Sequence, residues 1–301
     1  MKLLLTGAFS YSDAQLKKIT DLGHTYIFVQ DEKIPLQEQG INTADIEGVI
    51  CNGLFLYNDL VAFPNLRYVQ LTSAGFDRVP LVEMADRGIT VHNARGVYSA
   101  PMAEFAISCV LQLYKQSSAF LKNQSAHRWE KQRNLKELLG KTVCIVGCGS
   151  VGQACAKRFA AFDCCVLGVD AVQTNAPFFD VIYPLEQLNK VLSMGDIVVL
   201  AIPLTEQTRQ MFDKKRLLCC KPGSVFVNIS RGKVVVESDL CDLLQTGHFE
   251  GAVLDVFETE PLPEDNPLWN IKNVILTPHN SFVGEGNNER MFATIIENLQ
   301  K

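Results

Sequence analysis

The order of apolar and polar positions divides the chain into two series of short strands and amphipathic helices. Over about the first 95 residues, short apolar runs alternate with amphipathic stretches, which is the pattern of βα units. Leu16, Ile19 and Leu22 lie at helical spacing and predict an early helix. The predicted strands cover residues 3–6, 25–29, 48–51, 68–71 and 90–92, and the predicted helix covers residues 13–22.

A long apolar helix leads into the second series. It is predicted to begin near Ser99, and Pro101 is tolerated in its first turn because that N–H would lack a partner in any case. Continuous apolar runs, typical of a parallel sheet covered on both faces, then predict strands at residues 142–146, 165–169, 197–202, 224–229, 251–256 and 273–276. An amphipathic helix is predicted at residues 289–299. The predicted fold class is therefore α/β, with two doubly wound parallel-sheet domains.

Composition and charge narrow the class of protein. Hydrophobic residues make up 47% and charged residues 20%, which excludes a disordered or collagen-like chain. The net charge is −5 and there is no basic run, so no nucleic-acid partner is expected. No apolar stretch reaches the ~18 residues that span a bilayer, so no membrane partner is expected either. Ten cysteines without a secretion signal predict a cytoplasmic protein, and the absence of ligand spacing predicts no metal site.

The strongest local motif is a glycine-rich turn after the strand at 142–146. Gly147, Gly149 and Gly152 form a G-x-G-x-x-G pattern that opens a helical stretch. The first glycine permits a tight turn, the second lets a pyrophosphate approach the backbone, and the third lets the helix pack close to the sheet. The helix N-terminus offers free N–H groups to the phosphates. The motif predicts a dinucleotide site.

The acidic residue after the next strand indicates which dinucleotide binds. Asp170 follows the last glycine by 170 − 152 = 18 residues, where a carboxylate accepts hydrogen bonds from the adenosine ribose. It would repel a 2′-phosphate, and residues 171–174 supply no arginine to bind one. The predicted cofactor is NAD.

Several further motifs resemble the D-isomer-specific 2-hydroxyacid dehydrogenase family. They occur in the family's order between about residues 48 and 283. They are Gly96–Ser99 with Ala103-Glu104, Leu200–Thr208, Asn228-Ile229-Ser230-Arg231-Gly232, Leu254–Pro263 and Thr277-Pro278-His279. The resemblance implies a Rossmann cofactor domain at residues 97–282 and a flavodoxin-like substrate domain at residues 1–96 plus 283–301. It also implies a homodimer formed through the cofactor domains, with the helix from Ser99 in the interface.

The same resemblance implies a hydride transfer between NAD and a small 2-keto or 2-hydroxy acid. Arg231 matches the arginine that holds the substrate carboxylate and polarises its carbonyl, for which a planar guanidinium is suited. His279 matches the acid/base. Glu260 matches its carboxylate partner, and a neighbouring anion favours the imidazolium form.

Matching positions also imply the binding residues. Those assigned to the cofactor, beside the glycines and Asp170, are Ser150, Val151, Ile202, Pro203, Ile229, Ser230, Asp255 and His279. Backbone N–H groups of Asn52-Gly53-Leu54 and Ser73-Ala74-Gly75 are assigned to the substrate carboxylate, with Ala74 also near the nicotinamide. Both loops follow strands, where open α/β sheets bind ligands, but simple turn chemistry explains them equally well.

Alternatives and departures from the family pattern remain. Some relatives are NAD-sensing corepressors, some oxidise formate with a glutamine beside the histidine, and some act on 3-phosphoglycerate. No cation lies in either substrate loop, and residues 54–57 are apolar and aromatic, which favours an unphosphorylated substrate. Val236 replaces a common acid at a helix start, and Glu258 is interpreted as a solvated acid. Residues 280–282 are unusual after the histidine.

Overall fold

The computed structural model describes residues 1–172 and 176–301, and it consists of two compact units. Unit 1 comprises Met1–Tyr98 and Gly284–Lys301, and unit 2 comprises Ser99–Val283. The units change over at 98/99 and 283/284, close to the expected 96/97 and 282/283.

Unit 1 contains a five-stranded parallel sheet with the order β2-β1-β3-β4-β5. This order is that of flavodoxin-like folds, as predicted. The strands are β1 (Lys2–Thr6), β2 (Thr25–Val29), β3 (Gly48–Cys51), β4 (Tyr68–Leu71) and β5 (Thr90–His92). The helices are α1 (Asp13–Asp21), α2 (Leu81–Asp86) and, after unit 2 in the chain, α9 (Asn287–Leu299), with short 3-10 turns at Leu54–Leu56 and Leu60–Ala62.

The last helix completes the core of unit 1. The amphipathic pattern of α9 places Met291 and Ile295 in one buried cluster with Leu3 and Leu5 of β1. Asn298 of the same helix donates to the buried Gln70 Oε1 at 2.9 Å, so this buried amide oxygen of β4 is paired. The sheet face under α9 is therefore closed by residues from the far end of the sequence.

Unit 2 contains a seven-stranded parallel sheet with the order β12-β11-β10-β9-β6-β7-β8. The central order is that of dinucleotide-binding folds, with one further strand at an edge. The strands are β6 (Thr142–Val146), β7 (Cys165–Asp170), β8 (Val181–Pro184), β9 (Ile197–Leu200), β10 (Val225–Asn228), β11 (Gly251–Leu254) and β12 (Val274–Leu276). The helices are α3 (Ser99–Tyr114), α4 (Ser117–Ser125), α5 (Ser150–Ala160), α6 (Leu188–Leu192), α7 (Lys214–Leu217) and α8 (Glu237–Gln245), with 3-10 turns at Leu185–Gln187, Gly232–Val234 and Pro267–Asn270.

The sequence prediction differs from this sheet in two ways. It omitted β8, a partly exposed edge strand of four residues that ends in a proline, a residue that counts against a strand. It also continued three strands too far, to residues 202, 229 and 256, whereas β9, β10 and β11 end at Leu200, Asn228 and Leu254. Apolar residues continue directly past β9 and β10, and after β11 they resume beyond Asp255, so periodicity alone does not locate the ends.

Helix α3 lies largely inside unit 2, as its wide apolar stripe predicts. It packs against α5, and Arg158 of α5 pairs with Glu104 of α3 at 2.6 Å. The side chains that α3 exposes are polar, with Glu104, Ser108 and Gln112 on one stripe. None of the helices in the described ranges is long and apolar enough to cross a membrane.

Candidate active site

The glycine-rich turn joins β6 to α5 with the geometry that its sequence predicts. Gly147 has φ +99°, and a Cβ there would lie 2.6 Å from the carbonyl oxygen of Ala201. A Cβ on Gly152 would lie 1.9 Å from the Gly147 oxygen, so the helix can approach the strand only with glycine at both positions. A Cβ on Gly149, the N-cap of α5, would meet nothing within 4 Å. The open space beside Gly149 fits a pyrophosphate at the helix N-terminus.

Asp170 lies at the end of β7 and is tied to the glycine-rich turn. Its Oδ2 accepts the Cys148 N–H at 2.7 Å, and its Oδ1 accepts the Val172 N–H at 3.0 Å. The side chain remains partly exposed, so further lone pairs are available for a ribose. The sequence prediction also rests on the lack of an arginine at residues 171–174. Of these, Gln173 and Thr174 lie outside the described residues.

The turn that carries Arg231 is held by a buried amide. Asn228 Oδ1 accepts from both the N–H and the hydroxyl of Ser230, and its Nδ2 donates to the Arg231 carbonyl at 3.1 Å. A Cβ on Gly232 would lie 1.9 Å from the Phe257 carbonyl carbon, so this turn packs tightly on the loop after β11. The N-x-S-R-G motif thus fixes the backbone of Arg231, whose Nη1 donates to the Ser230 carbonyl at 2.8 Å.

His279 and Glu260 form a direct pair. His279 Nδ1 lies 2.8 Å from Glu260 Oε2, while Glu260 Oε1 accepts the Phe257 N–H at 3.0 Å. Partial burial acts to raise the pKa of Glu260. Hydrogen bonds from His279 and Phe257, with the charges of His279 and Arg231, outweigh burial and lower that pKa. An ionised Glu260 accepts the Nδ1 proton, which leaves Nε2 of the imidazole for chemistry. The structure thus brings the three predicted catalytic residues together.

Asp255 holds the loop that presents His279. It is 0% exposed, and its Oδ1 accepts the Thr277 hydroxyl at 2.6 Å and the Asn280 N–H at 2.7 Å, while its Oδ2 accepts the Ser281 N–H at 2.9 Å. Its carbonyl accepts the His279 N–H at 2.8 Å. His279 has φ +51°, a left-handed conformation that costs a non-glycine residue on the order of 1 kcal/mol or more. These bonds to Asp255 hold that conformation.

The structure gives Asp255 a role beside the cofactor contact that the sequence predicts. Both of its carboxylate oxygens accept hydrogen bonds from the histidine loop.

The position of Glu258 corrects the sequence prediction. Rather than a solvated acid, Glu258 supplies the N-terminal cap of α8. Its Oε1 accepts the Glu237 N–H at 2.9 Å, and the Glu237 carboxylate accepts the Glu258 N–H at 3.1 Å. Val236, the N-cap residue of α8, has no side-chain acceptor of its own. The missing cap is thus supplied from the loop that also carries Glu260.

The first predicted substrate loop is not free to bind an anion. Glu32 accepts the Gly53 N–H at 2.5 Å through Oε1 and the Asn52 N–H at 3.0 Å through Oε2. The N–H of Leu54 faces the Cys51 thiol. In the structure, two of the three N–H groups predicted to bind the substrate carboxylate are thus taken by Glu32.

The second predicted substrate loop differs. Within the described part of the chain, no acceptor takes the N–H groups of Ser73, Ala74 or Gly75. Asn93 Nδ2 donates to the Ala74 carbonyl at 2.6 Å and steadies the loop, in which Ala74 is exposed. This loop keeps the donors that the prediction assigned to it.

Comparison with known proteins identifies the family. The family model described as D-isomer specific 2-hydroxyacid dehydrogenase, NAD binding domain, matches residues 107–281. A glyoxylate reductase from Thermofilum pendens is 36% identical over 72% of this chain and 66% of its own length. The chain belongs to the D-isomer-specific 2-hydroxyacid dehydrogenase family.

Two full-length matches support the assignment. A hydroxypyruvate reductase from Blautia hydrogenotrophica is 29% identical over 100% of this chain and 96% of its own. The crystal structure of a D-isomer-specific 2-hydroxyacid dehydrogenase family protein from Aeromonas salmonicida has a TM-score of 0.80 and 30% identity, covering 99% and 94% of the two chains. The predicted family, the two α/β sheets and an NAD-dependent oxidoreductase are confirmed.

The other residues predicted to bind the cofactor differ in where they lie relative to the glycine-rich turn. Ile202 lies against Gly147, since a Cβ there would be 2.9 Å from its Cγ2. Ser150 and Val151 open α5, and Pro203 is exposed after β9. Ile229, however, is 1% exposed and packs in the core, and Ser230 is buried on Asn228. The side chain of Ile229 supports the sheet rather than facing a ligand.

The other histidines and the cysteines of this family member carry no comparable geometry. His248 contacts the Cys220 carbonyl at 3.1 Å, a structural role as expected. Burial raises the pKa of Cys148, in the glycine-rich turn, to about 12, so this thiol is not activated. Across the described residues, no group of three or more His, Cys, Asp or Glu side chains is placed to hold a metal ion.

Sequence reasoning missed the roles of four residues. Thr277 and Asn228 lay inside recognised motifs, but their tasks depend on hydrogen bonds that only the folded loops reveal. Glu32 lies in a loop without any motif, 20 and 21 positions before the two N–H groups that it binds. Phe282, which packs edge-on to the His279 ring at 6.0 Å, was noted only as unusual.

Proposed function

We propose that the protein interconverts a 2-keto acid and its D-2-hydroxy acid, with His279 as acid/base and Arg231 as the anchor of the substrate carboxylate. The observation that carries the proposal is the His279–Glu260 pair at 2.8 Å, within the field of Arg231. All three side chains follow β10, β11 or β12, whose carboxyl ends share the edge where doubly wound sheets bind ligands.

The residues divide the work as follows. When bound, NADH would supply the hydride for reduction of the keto acid, and NAD⁺ would accept it in oxidation of the hydroxy acid. His279, held through Nδ1 by Glu260, gives its Nε2 proton to the carbonyl oxygen in reduction and takes it back in oxidation. Arg231 donates two parallel hydrogen bonds to carboxylate and carbonyl oxygens, and its charge favours the developing alkoxide. The free N–H groups of Ser73, Ala74 and Gly75 are assigned to the substrate carboxylate as well.

Two broader assignments belong to the same proposal. All ten cysteines are free thiols, which supports a reducing cytoplasm. A homodimer is supported by apolar side chains that follow α3, where Trp129 is 97% and Leu139 is 67% exposed. The polar stripe of α3 itself makes the segment after it the stronger candidate for the interface.

The deciding experiment measures NADH oxidation with glyoxylate, pyruvate, hydroxypyruvate, phosphohydroxypyruvate and branched 2-keto acids. At least one is expected to be reduced, and chiral analysis should give the D-hydroxy acid. His279→Ala and Arg231→Ala should each lower kcat/KM by ~100–10,000-fold with NADH affinity retained. His248→Ala, a histidine outside the site, is the matched control and should stay near the unmodified rate.

The outcomes separate the alternatives. Tight NADH binding without reduction of any keto acid would favour the corepressor-like reading. Near-normal turnover in His279→Ala or Arg231→Ala would remove that residue from the mechanism. A clear preference for phosphohydroxypyruvate would place the protein with relatives that act on 3-phosphoglycerate.

A further inference from the structure

The first loop of unit 1 already holds a carboxylate, and that carboxylate belongs to the chain itself. Glu32 uses both oxygens on the consecutive N–H groups of Asn52 and Gly53, and Oε2 also accepts the Thr6 hydroxyl at 2.9 Å. Two adjacent N–H groups on two carboxylate oxygens are what a bound substrate anion would receive there. In the structure, the Glu32 carboxylate therefore takes the two N–H donors of this loop.

The place that Glu32 occupies is the ligand-binding position of its sheet. Thr6 ends β1 and Cys51 ends β3, and in the order β2-β1-β3-β4-β5 the connections diverge between these two strands. Open α/β sheets bind ligands at the carboxyl ends of the strands at that point. Glu32 reaches it from the loop after β2.

The first loop supplies hydrogen-bond donors to Glu32 but no positive charge of its own. The loop itself contains no cation, and within the described residues the buried Oδ1 of Asn52 has no hydrogen-bond partner. A carboxylate and an unpaired acceptor at one spot favour a neutral or hydrogen-bond-donating group and disfavour an anion. The second loop, with three free N–H groups, has the opposite character.

We propose that Glu32 is a specificity-determining residue that prevents a second anionic group of the substrate from binding at the first loop. The protein then favours 2-keto acids whose only anionic group is the reacting carboxylate. This inference rests on the proposed function, because it concerns which 2-keto acid is reduced. It assigns the selectivity to one side chain that the family motifs do not contain.

The test compares kcat/KM for hydroxypyruvate with that for phosphohydroxypyruvate, which differ by one phosphate. The unmodified protein should prefer hydroxypyruvate. Glu32→Ala frees both N–H groups and removes the charge, so the preference should fall by about tenfold or more through a gain on the phosphorylated substrate. Glu32→Gln should lower this preference by a smaller factor. Inhibition of glyoxylate reduction by inorganic phosphate should strengthen in the same order.

Glu38→Gln is the matched control, because it removes an equal charge from an exposed position in the same loop. The inference is overturned if it shifts the preference as much as Glu32→Gln, or if both Glu32 variants stay within about twofold of the unmodified ratio. It is also overturned if the unmodified protein prefers phosphohydroxypyruvate. Should Glu32→Ala not fold, the isosteric Glu32→Gln decides. Absence of any reductase activity would instead contradict the proposed function.

Discussion

Individual side chains in this site act through neighbours that the sequence does not place beside them. The motif around Arg231 and His279 was recognisable in the sequence, and so was the pairing of His279 with Glu260. The N–H donors of the first predicted substrate loop were also recognisable, but the carboxylate that accepts from them was not. Glu32 is about twenty residues away in the chain, and its approach depends on the path of the loop after β2. Long-range polar pairs of this kind have no local pattern.

Glu260→Gln is expected to shift the pH profile of keto-acid reduction. The pKa of Glu260 is lowered, so in the unmodified protein it is an anion at neutral pH and stabilises the imidazolium form of His279. Without that anion the proton donor is lost at a lower pH, and the alkaline fall of kcat should move downward. Initial rates between pH 5 and 9 measure this, and an unchanged profile would exclude Glu260 as the partner.

The same pair predicts a pH dependence of stability. The folded-state pKa of Glu260 lies below its ordinary value, so its ionised form stabilises the protein above that value. The contribution is lost as the pH falls through the folded pKa. Melting temperatures of the unmodified protein and Glu260→Gln should therefore differ at neutral pH and converge in acid.

Asp170→Ser is expected to weaken NADH binding and to relax the exclusion of NADPH, since one repulsive carboxylate is removed. Dissociation constants for both cofactors give the answer. Asp180→Asn is the control, because Asp180 also accepts a backbone N–H of β7, that of Val166 at 2.7 Å, and is exposed. If the unmodified protein already uses NADPH as well as NADH, Asp170 does not set the choice.

Strands and loops show where prediction from periodicity ends. The strands of unit 1 were predicted almost to the residue because each is a short apolar run between polar turns. In unit 2 the strands β9 and β10 were predicted too long, since the apolar residues after them belong to ligand-facing or core-facing loops. The start of α8 was predicted, but its cap from Glu258 was not. Hydrophobic periodicity indicates which residues are buried, but it does not indicate which loops are joined by hydrogen bonds.

A substitution at Asp255 should affect the whole loop that presents His279. Asp255→Asn replaces one acceptor by an N–H₂ group that faces a backbone N–H donor, so the left-handed turn at His279 loses support. We expect kcat to fall by roughly tenfold or more with little change in NADH affinity. Thr277→Val should act in the same direction, and Thr277→Ser, which keeps the hydroxyl, should restore the rate.

A fall in NADH affinity without a loss of kcat would contradict this role for Asp255. It would support the direct cofactor contact that the family resemblance implies.

The molecule as a whole is divided so that one unit is continuous in sequence and the other is not. The fold class and both sheet orders follow from the alternation of strands and helices, which is why they were predictable. That α9 returns to unit 1 was expected only from the family resemblance. Its apolar face shows that it packs on a partner, but not which sheet it covers.

Ile295→Ala is expected to destabilise unit 1 by about 2–5 kcal/mol, because Ile295 is fully buried against β1. Calorimetry should show an earlier transition for unit 1, with NADH still protecting unit 2. Glu297→Ala, on the exposed side of the same helix, should leave the transition within about 1 kcal/mol. A uniform shift of all transitions would show that the two units unfold together.

The late position of α9 has a consequence for synthesis. The ribosome synthesises all of unit 2 before it synthesises α9. Unit 2 is therefore the part that can complete its folding first. During that interval β1, β3 and β4 of unit 1 are present, but the face around Leu3 and Leu5 lacks the part of its cover that α9 supplies. A nascent chain in this state presents an apolar sheet face to chaperones and to other nascent chains. Its vulnerability to aggregation therefore lasts for as long as unit 2 takes to be translated, and it ends only when α9 docks.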